Sequence, residues 1–117
     1  GGDYVAQDII DQLEQREDFP AKPVVICGIR DTTVPSLFRD WFDSFELIAV
    51  HADFDTRLER LRGRGRNGED TFDKHDLAER DGRESMWGTA DCIARADSML
   101  WNEWTEEHLA KKMRQKL

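Results

Sequence analysis

The chain has 117 residues, of which 36% are charged and 38% hydrophobic, and its formal net charge is −8. That is enough chain for one domain with a single core, 1–117, and the clustering of its apolar residues points to a folded domain and not to disorder. The acidic balance argues against nucleic-acid and anionic-membrane partners, and no apolar run approaches the roughly 18 residues of a membrane span.

The opening GGDYVAQD lacks the basic-then-apolar pattern of a signal peptide, so a cytoplasmic protein is expected. Abundant aspartate, with arginine favoured over lysine, suits a salty, halophilic cytoplasm, and stability is expected to rise with KCl concentration. Val5, Ile9 and Leu13, with Ile10 beside them, predict a helix over 3–16. Asp3 is its candidate N-cap, and the prolines at 20 and 23 end it. Val24-Val25-Ile26-Cys27 opens a continuous apolar run over 24–29, as expected of a parallel strand buried on both faces.

Pro35 suits the first turn of a following helix, whose apolar face carries Val34, Leu37, Phe38, Trp41, Phe42 and Phe45. Residues 47–52 form a second predicted strand, which completes a right-handed βαβ unit. Asp55 or Thr56 would cap the next helix, with Leu58 and Leu61 on its buried side. Residues 60–76 are rich in glycine and charge and predict a loop, inside a lid-like charged segment spanning 57–83. A helix over about 76–96, broken near Gly82 or Gly88, leads to a third strand at 98–101. Thr105 then caps a last helix with Leu109, Met113 and Leu117 as its apolar stripe. The fold class expected is α/β: three layers, with a small, mainly parallel sheet of about three strands and flanking helices.

Arg57, Arg60, Arg62, Arg64 and Arg66 are the strongest chemical signal in an acidic chain. Guanidinium forks match phosphate oxygens in a bidentate way, and the interleaved glycines supply hinges for closing over a ligand. The alternative is a solvated helix end whose arginines pair with Glu59, Glu69 and Asp70. Arg80 and Arg83 share a helical face, either as part of the same anion pocket or as a surface ion-pair ladder. Arg30 follows the first predicted strand at its carboxyl end, where open α/β sheets bind ligands, although the turn there would suit a plain connection equally. Cys27 and Cys92 show no zinc spacing and are expected as reduced core thiols. No metal site is expected. His51, His75 and His108 have no metal-ligand spacing, and Trp41, Trp87, Trp101 and Trp104 read as packing residues.

VVICGIR, FELIAVHADFDTRLERLRGRGR, AERDGRE with MWG, and ADSMLWN follow one another in an order that resembles archaeal P-loop nucleotide kinases related to adenylate kinase and dephospho-CoA kinase. The resemblance implies a truncated P-loop-kinase-like fold in which 24–29, 47–52 and 98–101 are the third, fourth and fifth strands. It implies that Arg64 and Arg66 are lid arginines, that Arg80 and Arg83 belong to the second arginine segment, and that Asn102 lies near a nucleotide base. No GxxxxGK[ST] occurs in the chain, and Cys27 stands where the family carries an acid.

The function expected is therefore the lid-bearing C-terminal portion of a nucleotide or small-metabolite kinase, catalytically incomplete on its own. Phosphate or nucleotide would bind Arg30, Arg57, Arg64, Arg66, Arg80, Arg83 and Asn102, with ATP and Mg²⁺ if a P-loop is supplied elsewhere. The alternative is a non-catalytic binding or interaction module of the same descent. Its partner would be a phosphate-bearing small molecule, a second copy or another chain at an exposed sheet edge.

Overall fold

The computed structural model describes residues 2–86 and 88–116. Trp87, expected among the packing residues, and Leu117, expected to end the last apolar stripe, lie outside them. Helix α1 (Gly2–Glu14) packs against α2 (Thr33–Trp41). Its buried stripe is Ala6, Ile10 and Leu13, whereas Val5 is 55% exposed. The expected stripe is rotated by about one residue, because the small Ala6 is the position that faces α2 at close range.

The core of this half is Ala6, Ile10, Val34 and Phe38, flanked by Ile26, Ile29, Leu37, Phe42 and Phe45. Pro35 is buried in the first turn of α2, as its fixed φ favours. The helix stops at Trp41, earlier than the periodicity suggests, and Phe42 is extended with ψ 141°. Phe42 and Phe45 nevertheless reach Phe38, at ring-centroid distances of 5.3 and 5.8 Å. They meet it from the connecting segment and not from a helical face.

Residues 24–29 form no strand, and Gly28 within them turns the chain at φ 84°. Among the described residues no backbone hydrogen bond joins them to another segment, and a ladder needs a neighbour. Ile26 and Ile29 turn onto the α1–α2 core, while Val25 and Cys27 face outward. The expected burial of Cys27 is thus corrected. Cys92 is buried, and desolvation pushes its thiol pKa up.

Strands β1 (Ile48–His51) and β2 (Ser98–Trp101) pair in parallel, from Ile48 opposite Ser98 to His51 opposite Trp101. The fold is α/β with a small parallel sheet, which has two strands among the described residues where about three were expected. The βαβ unit expected from 24–52 does not form.

The connection from β1 to β2 carries the site. Helix α3 (Phe54–Arg64) starts at Asp53, ahead of the predicted caps, and buries Leu58. It runs through residues expected as loop and ends at Gly65, whose φ of 64° favours glycine. A 3-10 segment (Arg66–Thr71) leads to α4 (Lys74–Met86). Gly88, at φ 100°, separates α4 from α5 (Thr89–Ala94), at one of the two predicted breaks. Helix α6 (Glu106–Lys116) follows β2, and the Thr105 hydroxyl accepts the His108 N–H at 3.1 Å, the predicted cap. Among the described residues no helix is long and apolar enough to cross a membrane.

Candidate anion-binding site

A cleft of about 530 Å³ opens at the carboxyl ends of β1 and β2, where Ala52 and Asn102 line it. Parallel sheets bind ligands at this end because the connecting loops and helix starts converge there. Helix α3 contributes Arg57, Arg60 and Arg64, α4 contributes Arg80, Asp81 and Glu84, and the segment before α2 contributes Arg30.

The helical period explains which arginines converge. Positions 57, 60 and 64 are spaced i, i+3, i+7 and fall on one face of α3. Arg62 turns aside and donates from Nε to the Phe72 carbonyl. Arg66 lies beyond the Gly65 stop, exposed and outside the cleft, and Arg83 is likewise exposed and not among its lining. The structure therefore brings together Arg30, Arg57, Arg64, Arg80 and Asn102 of the expected site residues. Arg60 was part of the recognised cluster, and its helical spacing was the signal that it joins them.

Glu69 organises the far wall. It is 2% exposed, and its carboxylate accepts Arg64 Nε at 2.9 Å, Arg64 Nη2 at 2.6 Å and Arg80 Nη1 at 2.9 Å. It also accepts the Arg66 backbone N–H at 3.2 Å, so one side chain ties α3, the 3-10 segment and α4 together. The bonds from Arg64, then Arg80, hold its carboxyl pKa down to about 2. Phe72 lies under the Arg80 guanidinium, 4.9 Å from ring centroid to Cζ.

On the near wall Arg57 makes a fork-to-fork pair with Asp81, Nη1 to Oδ1 at 2.8 Å and Nη2 to Oδ2 at 3.0 Å. Its Nε donates to the Ala52 carbonyl at 3.2 Å. The bonds from Asp81 raise the Arg57 pKa, and Glu84 adds to the effect from the next turn of α4. Arg60 donates to the carbonyls of Asn102 and, at 3.1 Å, Trp104, which fixes the loop after β2. Arg30 has no bonded partner among the described residues. Its loop is placed by a close approach to Gly88, where an added Cβ would lie 3.4 Å from the Arg30 carbonyl oxygen.

Beyond the strand ends, the Asp53 N–H donates to Glu103 Oε1 at 3.2 Å, while hydrogen bonding with the Asp53 side chain raises the Glu103 pKa. Among the described residues no group of three or more His, Cys, Asp or Glu is arranged to hold a metal ion. Of the expected lid arginines, Arg64 and Arg80 are tied to a buried acid, so the bland pairing with Glu69 is met alongside the convergence on one cleft.

No family model matches the chain. It is similar to archaeal proteins designated UPF0200, a label that carries no assigned activity. It is 44% identical over 103 residues to the one from Methanopyrus kandleri, which covers 86% of this chain and 52% of that protein. It is 34% identical over 114 residues to that of Methanoculleus marisnigri, 97% of this chain and 60% of the relative. Over 120 residues it is 34% identical to that of Methanothermobacter thermautotrophicus, 99% and 61% respectively. The chain thus spans about half the length of the curated relatives it matches. No solved structure matches. The resemblance to P-loop nucleotide kinases is corrected by these findings: the relatives are UPF0200 proteins, and nothing links them to that family. The expectations of ATP and Mg²⁺ came with that resemblance alone.

Proposed function

We propose that these 117 residues are the phosphate-binding portion of a longer protein, that they hold the phosphoryl group of a small molecule, and that they do not complete a catalytic centre on their own. The observation that carries the reading is the convergence of Arg30, Arg57, Arg60, Arg64 and Arg80 on one cleft in a chain of net charge −8. Guanidiniums brought this close repel one another unless anions lie among them, and the chain itself meets part of that need through Glu69 and Asp81. The carboxylates within reach are Asp81, Glu84 and Glu69, so the arginines are in excess. A cleft of about 530 Å³ is of the size that small-molecule sites occupy.

The test is a calorimetric titration of the chain with pyrophosphate at low and high KCl. Saturable binding is expected, weakened about tenfold in Arg30→Ala through loss of a charge-assisted hydrogen bond. Arg66→Ala and Arg83→Ala should change little, because both lie outside the cleft. Equal affinity in wild type and Arg30→Ala, or no saturable heat, rejects the reading.

A second reading, an interaction module, is favoured by an apolar segment without a ladder and by the exposed apolar faces of the short sheet. Residues 24–29 have no ladder partner among the described residues, and the short sheet leaves Val50, Met99 and Trp101 41–49% exposed. The radius of gyration is 16.2 Å, against about 13 Å for a compact chain of this length. Such edges take a strand from a second copy or another chain. Light scattering that shows a monomer at every concentration would remove the self-pairing form.

A further inference from the structure

We propose that Asp81 is an internal stand-in for the ligand's phosphoryl group. It occupies the guanidinium fork of Arg57 and is displaced when the anion binds. The inference rests on the phosphate-binding reading and deepens it by naming the residue that sets affinity.

The two carboxylate contacts in the cleft wall differ in kind. Glu69 is almost fully buried and accepts bonds from Arg64, Arg80 and the Arg66 backbone, so it cannot leave without exposing several donors. Among the described residues the Asp81 carboxylate is bonded by Arg57 alone, and its side chain is 32% exposed. It sits at the cleft surface on α4, where a rotamer change carries the carboxylate into water. Arg57 does not depend on Asp81 for its position. Its Nε is fixed by the Ala52 carbonyl at the end of β1, and its guanidinium lies 5.7 Å from the Phe54 ring centroid. The fork is therefore held in place while its two terminal N–H groups bond a replaceable anion.

A phosphoryl group matches that fork as a carboxylate does, and it carries more charge and a further oxygen. The third oxygen can be met by Arg30, which lines the same cleft without a bonded partner among the described residues. Exchange of Asp81 for phosphate keeps both Arg57 bonds and adds one to Arg30. Glu84 remains beside Arg57 after the exchange.

The experiment is pyrophosphate titration of wild type, Asp81→Asn and Glu79→Gln, with folding of each checked by circular dichroism. Both substitutions remove one negative charge from α4, but Glu79 lies outside the cleft and pairs with His75 at 3.1 Å. Asp81→Asn should tighten binding about tenfold, since the fork no longer has to be vacated by a charged competitor. Glu79→Gln should change it less than about twofold, as expected for a screened charge. Asp81→Ser, which keeps a hydroxyl acceptor, should reproduce the gain and serves if the amide variant folds poorly. Arg57→Ala in the Asp81→Asn background should abolish it. Equal effects of Asp81→Asn and Glu79→Gln, or weaker binding by Asp81→Asn, overturn the inference and leave the phosphate-binding reading intact. Absence of binding by all of these proteins refutes that reading as well.

Discussion

Phe38→Ala tests whether the α1–α2 half is a true core. Phe38 is wholly inaccessible and meets Ala6, Ile10 and Val34. Its ring lies 5.3 Å from Phe42, inclined at 64°, and 5.8 Å from Phe45. Truncating a buried phenylalanine removes its transfer free energy and leaves a cavity, about 3–5 kcal/mol together. The two aromatic pairs, each worth about 0.5–1.5 kcal/mol beyond area, keep Phe38 from the lower end of that range. A loss of about 4 kcal/mol is a large fraction of the roughly 5–15 kcal/mol typical of a domain. It should lower the thermal midpoint by about 15 °C, given roughly 4 °C per kcal/mol for a domain of this size. Urea denaturation followed by circular dichroism measures it, with an unchanged m-value as the sign that stability alone has moved. Trp41→Ala is the comparison, because Trp41 stacks on Phe19 at 6.0 Å and meets Phe42 at 4.8 Å yet is 39% exposed. It should have a clearly smaller effect. A Phe38→Ala loss below about 1 kcal/mol, or no larger than that of Trp41→Ala, would refute the packing described for this half.

Two further tests probe the walls of the cleft. The Glu69 carboxyl has its pKa lowered from 4.5 to about 2 by Arg64 and Arg80. The stability it contributes is therefore complete above pH 4.5 and is lost as pH falls toward about 2, since the unfolded chain takes up the proton first. Denaturation midpoints across that window should fall less steeply in Glu69→Gln than in wild type, and parallel profiles would contradict the assignment. Gly88→Ala forces a side chain into φ 100° and sets its Cβ 3.4 Å from the Arg30 carbonyl. It should destabilise the chain by about 1–3 kcal/mol and weaken pyrophosphate binding by moving Arg30. Unchanged affinity in a folded variant would show that Arg30 does not depend on that contact.

The sequence alone determined the elements whose signals are local. Thr105 as a cap, the break at Gly88 and the strands near 48–51 and 98–101 were legible because caps, glycine conformations and short apolar runs act within a few residues. Arginines 57, 60 and 64 could be placed on one face by helical spacing once that segment was known to be helical.

Tertiary structure decided the rest. Residues 24–29 have the composition of a strand, yet strand identity belongs to a pair, and no partner is bonded to them among the described residues. The rotation of the α1 stripe from Val5 to Ala6 depended on which side chain allows α2 to approach. Glu69 read as one of three acids that would pair with the arginines at a solvated helix end, and only the folding of α3 back toward α4 made it the buried anchor of two arginines. The pairing of Arg57 with Asp81 and the convergence of Arg30 on the same cleft join residues far apart in the chain. Their charges interact through space, and the spacing along a sequence carries no record of that distance.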